Sequence, residues 1–222
     1  MGRKFTFSTG EYYHLYNRGT EKRVVFLNEH DYGRFMLLLH LCNSKAPVDI
    51  SNKLREGLTF TELMDIELND RIVDIGVYCL MPNHFHLLVR EKQENGISLF
   101  MQKLTTAYTM YFNKKYERTG GLFEGSFLAR HADTDKYLKY LFSYIHLNPV
   151  KIIDPKWKEN GITNRPAAKK YLAQYKYSSY LDYIGTKRKE VKILNKTAFP
   201  KYFLNFKEFK QFIDEWLFFK EI

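Results

Sequence analysis

The sequence has little cysteine, no long apolar run and no repeat, and each shortage excludes a class. Two cysteines, Cys42 and Cys79, cannot build a disulfide framework, and Cys79 sits in an apolar stretch. Buried free thiols in a reducing cytoplasm are the simple reading. No apolar run approaches the roughly 18 residues of a membrane span, and no secretory signal is visible. Neither secretion nor a membrane partner is expected. What the chain has in excess is positive charge: 35 Lys and Arg against 25 acidic residues, a net charge of +10 over 222 residues. That balance favours a polyanionic partner. Some of the 17 Tyr and 18 Phe must fill a core, and exposed ones could stack on unpaired bases.

The chemistry begins at Val77-Tyr-Cys-Leu-Met-Pro-Asn-His-Phe-His-Leu-Leu-Val-Arg90. The residues after Pro82 read as a buried strand, and on a strand residues i and i+2 share a face. His84 and His86 therefore leave the sheet on one side, with Phe85 on the other. Two convergent imidazoles suit a divalent cation. The competing reading is a pair of sheet-face histidines with ordinary hydrogen bonds. Pro82 cannot donate to a ladder, so a bend or bulge is expected beside them.

A second stretch is Tyr137-Leu-Lys-Tyr-Leu-Phe-Ser-Tyr-Ile-His-Leu-Asn-Pro-Val-Lys151. Asp133 is the expected N-cap, and Pro149 ends the helix near Asn148. Tyr144 and Asn148, at i and i+4, share a face. A phenol beside a polarised electrophile is a nucleophile, and an amide oxygen one turn away can complete a metal shell. Tyr137 and Tyr140 lie on the same broad side and compete for the role. His146 points away and is expected to be structural.

Met81-Pro-Asn-His-Phe-His-Leu-Leu-Val89, Gly121-Leu-Phe-Glu-Gly-Ser-Phe127 and Tyr144-Ile-His-Leu-Asn-Pro-Val150, in that order, resemble the IS200-like single-tyrosine transposases. More narrowly they resemble the REP-associated branch of these HUH endonucleases. The resemblance covers roughly residues 10 to 155. It implies Tyr144 as nucleophile and His84, His86 and Asn148 as ligands of Mg²⁺ or Mn²⁺. It also implies single-stranded DNA with a hairpin as substrate, cleaved through a 5′-phosphotyrosine link that leaves a free 3′-hydroxyl. Location in the cytoplasm, at the nucleoid, follows. Relatives act as dimers or monomers, so monomer and homodimer both stay open. A non-cleaving hairpin-binding protein and a metal-dependent nuclease using water are the alternatives. Retention of all four site residues argues against the first. An RNA-modifying enzyme has only the net charge behind it.

The fold expected is α+β. An antiparallel sheet of about four or five strands carries helices mainly on one side, in the strand-helix-strand-strand-helix-strand order of a ferredoxin-like split βαβ. Tyr12 to Gly19 reads as the first strand, Asp31 to Cys42 and Asn95 to Tyr116 as helices, and Leu122 to Arg130 as the last strand. Residues 1–155 form the expected catalytic domain, with an irregular insertion at about 43–70. Residues 156–222 form a helical extension, in which Tyr-Ser-Ser-Tyr180 packs at the surface. Asn205 to Glu208 fits a capping box opening a last helix. Arg18, Arg90, Lys103, Lys114, Lys115, Arg118, Arg130 and Lys151 are the candidate DNA contacts; solvated lysines are the competing reading. Glu124 is assigned no role.

Overall fold

A computed structural model describes residues 6–47 and 49–218. In chain order the elements are β1 (Tyr12–Arg18), α1 (Glu29–Leu41), α2 (Ile50–Arg55), α3 (Phe60–Asp65), β2 (Val73–Met81), β3 (His84–Glu91), α4 (Gly96–Lys115), β4 (Leu128–His131) and α5 (Asp135–Leu147). Then follow α6 (Val150–Ile153), α7 (Trp157–Asn160), α8 (Arg165–Gln174), α9 (Tyr180–Tyr183) and α10 (Phe206–Phe218). The four strands form one antiparallel sheet in the order β2-β3-β1-β4. β1 and β2 thus run parallel with β3 between them, which is the split βαβ expected.

The pleat divides the sheet's side chains between two cores. Tyr13, Leu15, Phe85, Leu87 and Val89 face α1 and α4, where Phe35, Leu38, Phe100, Leu104 and Tyr108 cover them. Val77, Cys79, Met81 and Leu88 face α5 and meet Leu138, Leu141, Phe142 and Ile145. Helices therefore cover both faces, not mainly one. The reason is legible in β2, whose nine residues are all buried; a strand without polar alternation needs cover on both sides.

The last strand is shorter than expected. Gly120 and Gly125 adopt φ of +79° and +65°, a left-handed backbone that breaks a strand, so regular pairing starts only at Leu128. Leu122 and Phe123 enter the core instead. The insertion is also more ordered than its sequence suggested. Thr59 caps α3 in a reciprocal capping box with Glu62, and Leu63 and Met64 pack into the main core.

The C-terminal segment binds the sheet directly. Leu80 N–H donates to Tyr177 O at 2.9 Å and Ser179 N–H to Tyr78 O at 3.0 Å, so residues 177–179 line the outer edge of β2. Ser178 and Ser179 are buried there, where the sequence suggested a surface segment. This covers an edge that would otherwise pair with other chains. In α10, Glu208 N–H donates to Asn205 Oδ1 at 3.1 Å, and Phe209, Ile213 and Leu217 are buried beside Leu147 and Leu172. No described helix is long and apolar enough to cross a membrane.

Candidate active site

The two histidines sit where the β2–β3 hairpin turns. Pro82 and Asn83 form that turn, so the missing N–H of Pro82 interrupts nothing in the ladder. The one register shift in β2 falls at Gly76, away from the site. The turn is clamped from below: Val25 N–H donates to Pro82 O at 2.8 Å and Gly19 N–H to Asn83 O at 2.8 Å. Gly19 is required, because a Cβ there would lie 2.4 Å from the carbonyl oxygen of Arg23.

Register decides what surrounds the histidines. His84 lies opposite Arg18 and Met81, and His86 opposite Tyr16 and Cys79. The face that carries them therefore also carries His14, Tyr16 and Arg18 from β1, and Leu128 and Arg130 from β4. The imidazoles of His84 and His86 stand 5.0 Å apart between centroids, nearly perpendicular. His84 Nδ1 lies 2.6 Å from Asn83 Oδ1, and His86 Nδ1 lies 2.9 Å from His14 Nε2. Each Nδ1 is thus engaged, and neither Nε2 has a hydrogen-bond partner among the described residues. An engaged Nδ1 and an open Nε2 are what a ligating histidine requires.

Burial keeps these rings neutral. It pushes His14 down to about 4, helped by Arg130 and Lys158, and His84 down to about 4, helped by Lys151 and Lys158. It also holds His86 well below its ordinary value, with His14 and His84 adding to the effect. Neutral imidazoles keep the lone pairs that a cation needs. His84 and His86 therefore fit as two ligands. Among the described residues no third His, Cys, Asp or Glu joins them in a ligand group.

Tyr144 comes from α5 to the edge of the His14–His86 pair, without lining the histidine cavity. Thr134, not Asp133, caps that helix, its hydroxyl accepting from Tyr137 N–H at 3.2 Å from an extended backbone. The helix ends at Leu147, with Asn148 as C-cap before Pro149. The Tyr144 ring stands edge-on to His14 at 5.7 Å and to His86 at 5.8 Å. Burial raises its pKa and Lys151 pulls it partly back, so the phenol is protonated at neutral pH. Of its competitors, Tyr137 lies under Arg130 at 4.8 Å and Tyr140 packs on Trp216 at 5.2 Å. Asn148 is buried, and its Nδ2 donates to Tyr144 O at 2.8 Å. Its Oδ1 makes no hydrogen bond among the described residues, and it does not line the histidine cavity. His146 turns away and bonds Ser179 Oγ at 2.8 Å, tying α5 to the covered edge of β2.

The cavity before the histidines, of about 860 Å³, is lined by Tyr16, Arg18, Asn83, His84, His86 and Lys151, among others. Glu124 lies at its rim in an ion pair with Arg18, which holds its carboxyl below the usual range. Three of the eight basic candidates, Arg18, Arg130 and Lys151, therefore converge on the site. The others do not. Lys103, Lys114 and Lys115 ride on α4, behind the opposite face of the sheet, and Arg118 follows that helix. Lys103 donates to Ala46 O at 2.7 Å, Lys115 pairs with buried Asp31 at 2.7 Å, and Arg118 donates to Asn113 at 2.7 Å. Lys114 borders a shallow groove with Arg34 and Arg55. Arg90 holds Gly10 O at 3.1 Å and Asp74 at 3.6 Å, at the far end of β3.

Three site residues escaped the sequence reading: His14, Tyr16 and Lys158. The first two share the period-2 spacing of Arg18 along β1, a signal present in the sequence but meaningless until β1 is known to pair with β3. Lys158, with Nζ 4.2 Å from the Tyr144 ring centroid, comes from beyond the expected catalytic domain.

A model of the IS200-like transposases matches residues 12–148. A solved structure described as a REP-associated tyrosine transposase bound to a REP hairpin aligns at a TM-score of 0.48 and 13% identity, over 86% of this chain and 89% of that one. No curated protein matches the chain. With more than half of its residues inside the family match, the chain belongs to the IS200-like transposase family.

Proposed function

We propose that this transposase cleaves and rejoins single-stranded DNA beside a hairpin, as a member of the REP-associated branch, with Tyr144 as nucleophile. The observation that carries this reading is the Tyr144 ring held edge-on against His86, whose Nε2 is open. His84 and His86 would hold a divalent cation, Mg²⁺ or Mn²⁺, with oxygen ligands making up the shell; Asn148 is the protein candidate. When bound, the ion supplies Lewis acidity at the scissile phosphate. Tyr144 Oη attacks phosphorus, the bond to the 3′ oxygen breaks, and a 5′-phosphotyrosine and a free 3′-hydroxyl result. Attack of a 3′-hydroxyl on that link reverses the step and rejoins strands without an external energy source. Arg18, Arg130, Lys151 and Lys158 draw the phosphate backbone to the site, and Lys151 favours the developing phenolate.

The test is covalent trapping. Protein, Mn²⁺ or Mg²⁺, and labelled single-stranded hairpins drawn from the flanks of its own gene are run on a denaturing gel. A metal-dependent adduct should form, vanish in Tyr144→Phe and persist in Tyr16→Phe. Tyr16 is the necessary control, because its ring also lies 5.8 Å from His86. Metal-dependent cleavage without adduct, unchanged in Tyr144→Phe, would favour the water-using nuclease. Binding with neither would favour the non-cleaving protein.

A further inference from the structure

Tyr144 borders a separate cavity, of about 230 Å³, whose lining contains none of the histidines, while its ring meets His14 and His86 edge-on. Its walls come from three elements: Tyr140 and Tyr144 on α5, Trp157 and Lys158 on α7, and Trp216 on α10. The chain has only two tryptophans, and both are here. Tyr140 and Trp216 meet edge-on at 5.2 Å, so the wall is largely aromatic. Trp157 Nε1 is buried and has no hydrogen-bond partner among the described residues. A buried donor without an acceptor costs stability unless a ligand supplies one. Lys158 lies over both the Tyr144 and Trp157 rings, at 4.2 Å and 5.7 Å.

We infer that this cavity receives one unpaired nucleobase of the single strand, adjacent to the phosphate presented to Tyr144. The inference rests on the reading of Tyr144 as nucleophile and adds a role for residues 156–218. The argument is chemical. A base offers a π-face for the aromatic walls and ring-nitrogen or carbonyl acceptors for the indole N–H. Its own phosphate would lie within the reach of Lys158, which carries charge but no base preference. A purely apolar ligand would leave the indole N–H unmet. Tyr144 would then stand between two subsites, histidines for the phosphate and indoles for the neighbouring base. The extension would so control which nucleotide step is offered for cleavage.

The tryptophans are their own reporters. The Tyr144→Phe protein, in which no linkage forms, is titrated with a hairpin oligonucleotide bearing an unpaired tail of randomised sequence. It is then titrated with copies carrying one abasic nucleotide at each tail position in turn. Anisotropy of a dye on the stem reports binding, and tryptophan emission reports stacking. The intact tail should change the emission. One abasic position should abolish that change and weaken binding by about ten- to a hundredfold. In Trp157→Phe, which keeps a ring but loses the N–H, and in Trp216→Leu, the penalty at that position should shrink. Saturable binding with unchanged emission, or with no abasic position that matters, overturns the base subsite and leaves the Tyr144 adduct standing. Failure of every tail to bind overturns the single-strand transposase reading together with the subsite.

Discussion

At the residue scale, His14 is the most informative side chain, because its work is done through His86. Its Nε2 lies 2.9 Å from His86 Nδ1; when that nitrogen of His86 carries the proton and His14 accepts the hydrogen bond, His86 Nε2 keeps its lone pair. His14→Phe keeps a ring in the same space and removes that partner. It should weaken Mn²⁺ binding by about ten- to a hundredfold, read by calorimetry, with the circular dichroism spectrum unchanged. Unchanged affinity would mean that His86 needs no orienting partner. The pair His84 and His86 was legible from alternation alone, because a strand's period of two is a local property. His14 was not, since its meaning depends on a partner strand 72 residues away in sequence. Tyr144 was singled out by its family likeness, while helical spacing alone left Tyr137 and Tyr140 level with it.

At the element scale, α10 was readable in its start at Asn205 and in most of its buried stripe, though the Glu208 carboxylate reaches Leu204 N–H and not Asn205 N–H. Asn205 Oδ1 accepts from Glu208 N–H, Glu208 returns a bond to Leu204 N–H at 2.9 Å, and the stripe of Phe209, Ile213 and Leu217 is buried. Asn205→Ala should lower stability by about 1 kcal/mol in denaturant unfolding. No loss would mean that the bonds to Asn205 Oδ1 add nothing net to the start of the helix. β4 was less readable, because the glycine conformations that delay it depend on Leu122 and Phe123 turning into the core. The Asp133 and Thr134 choice was a near tie in sequence; the chain enters α5 with Thr134 extended, and its hydroxyl reaches the first turn.

At the scale of the whole molecule, buried histidines and surface charge make opposite demands on solvent. Of seven histidines, five have a lowered pKa: His14, His40, His84, His86 and His146, the last pushed to about 3, each by burial first. In the unfolded chain they take up protons below their ordinary value of 6.5, while the folded chain refuses them. The metal-free protein should therefore lose stability as pH falls from 6.5 toward about 4, where the folded His14 and His84 begin to titrate. A thermal melting point that stays flat across that window would contradict it. The second expectation concerns salt. If Arg18, Arg130, Lys151 and Lys158 meet phosphates of a single strand, the logarithm of the binding constant should fall with log salt at a slope of about −3. A slope near −6 would bring the remote lysines of α4 into the contact surface.

What the sequence by itself determined was local: the strand that splits His84 from Phe85, the helix that carries Tyr144 to a stop at Pro149, and the charge that calls for a polyanion. These depend on backbone period, proline stereochemistry and composition, none of which needs a distant partner. Only the tertiary structure decided which side chains share a cavity. Strand register brought His14 to His86, and the return of the chain after Asp154 brought Trp157, Lys158 and Trp216 to Tyr144. The His14 and Trp216 contacts cross long stretches of sequence, set by how two faces of one sheet are covered, and no local pattern encodes them.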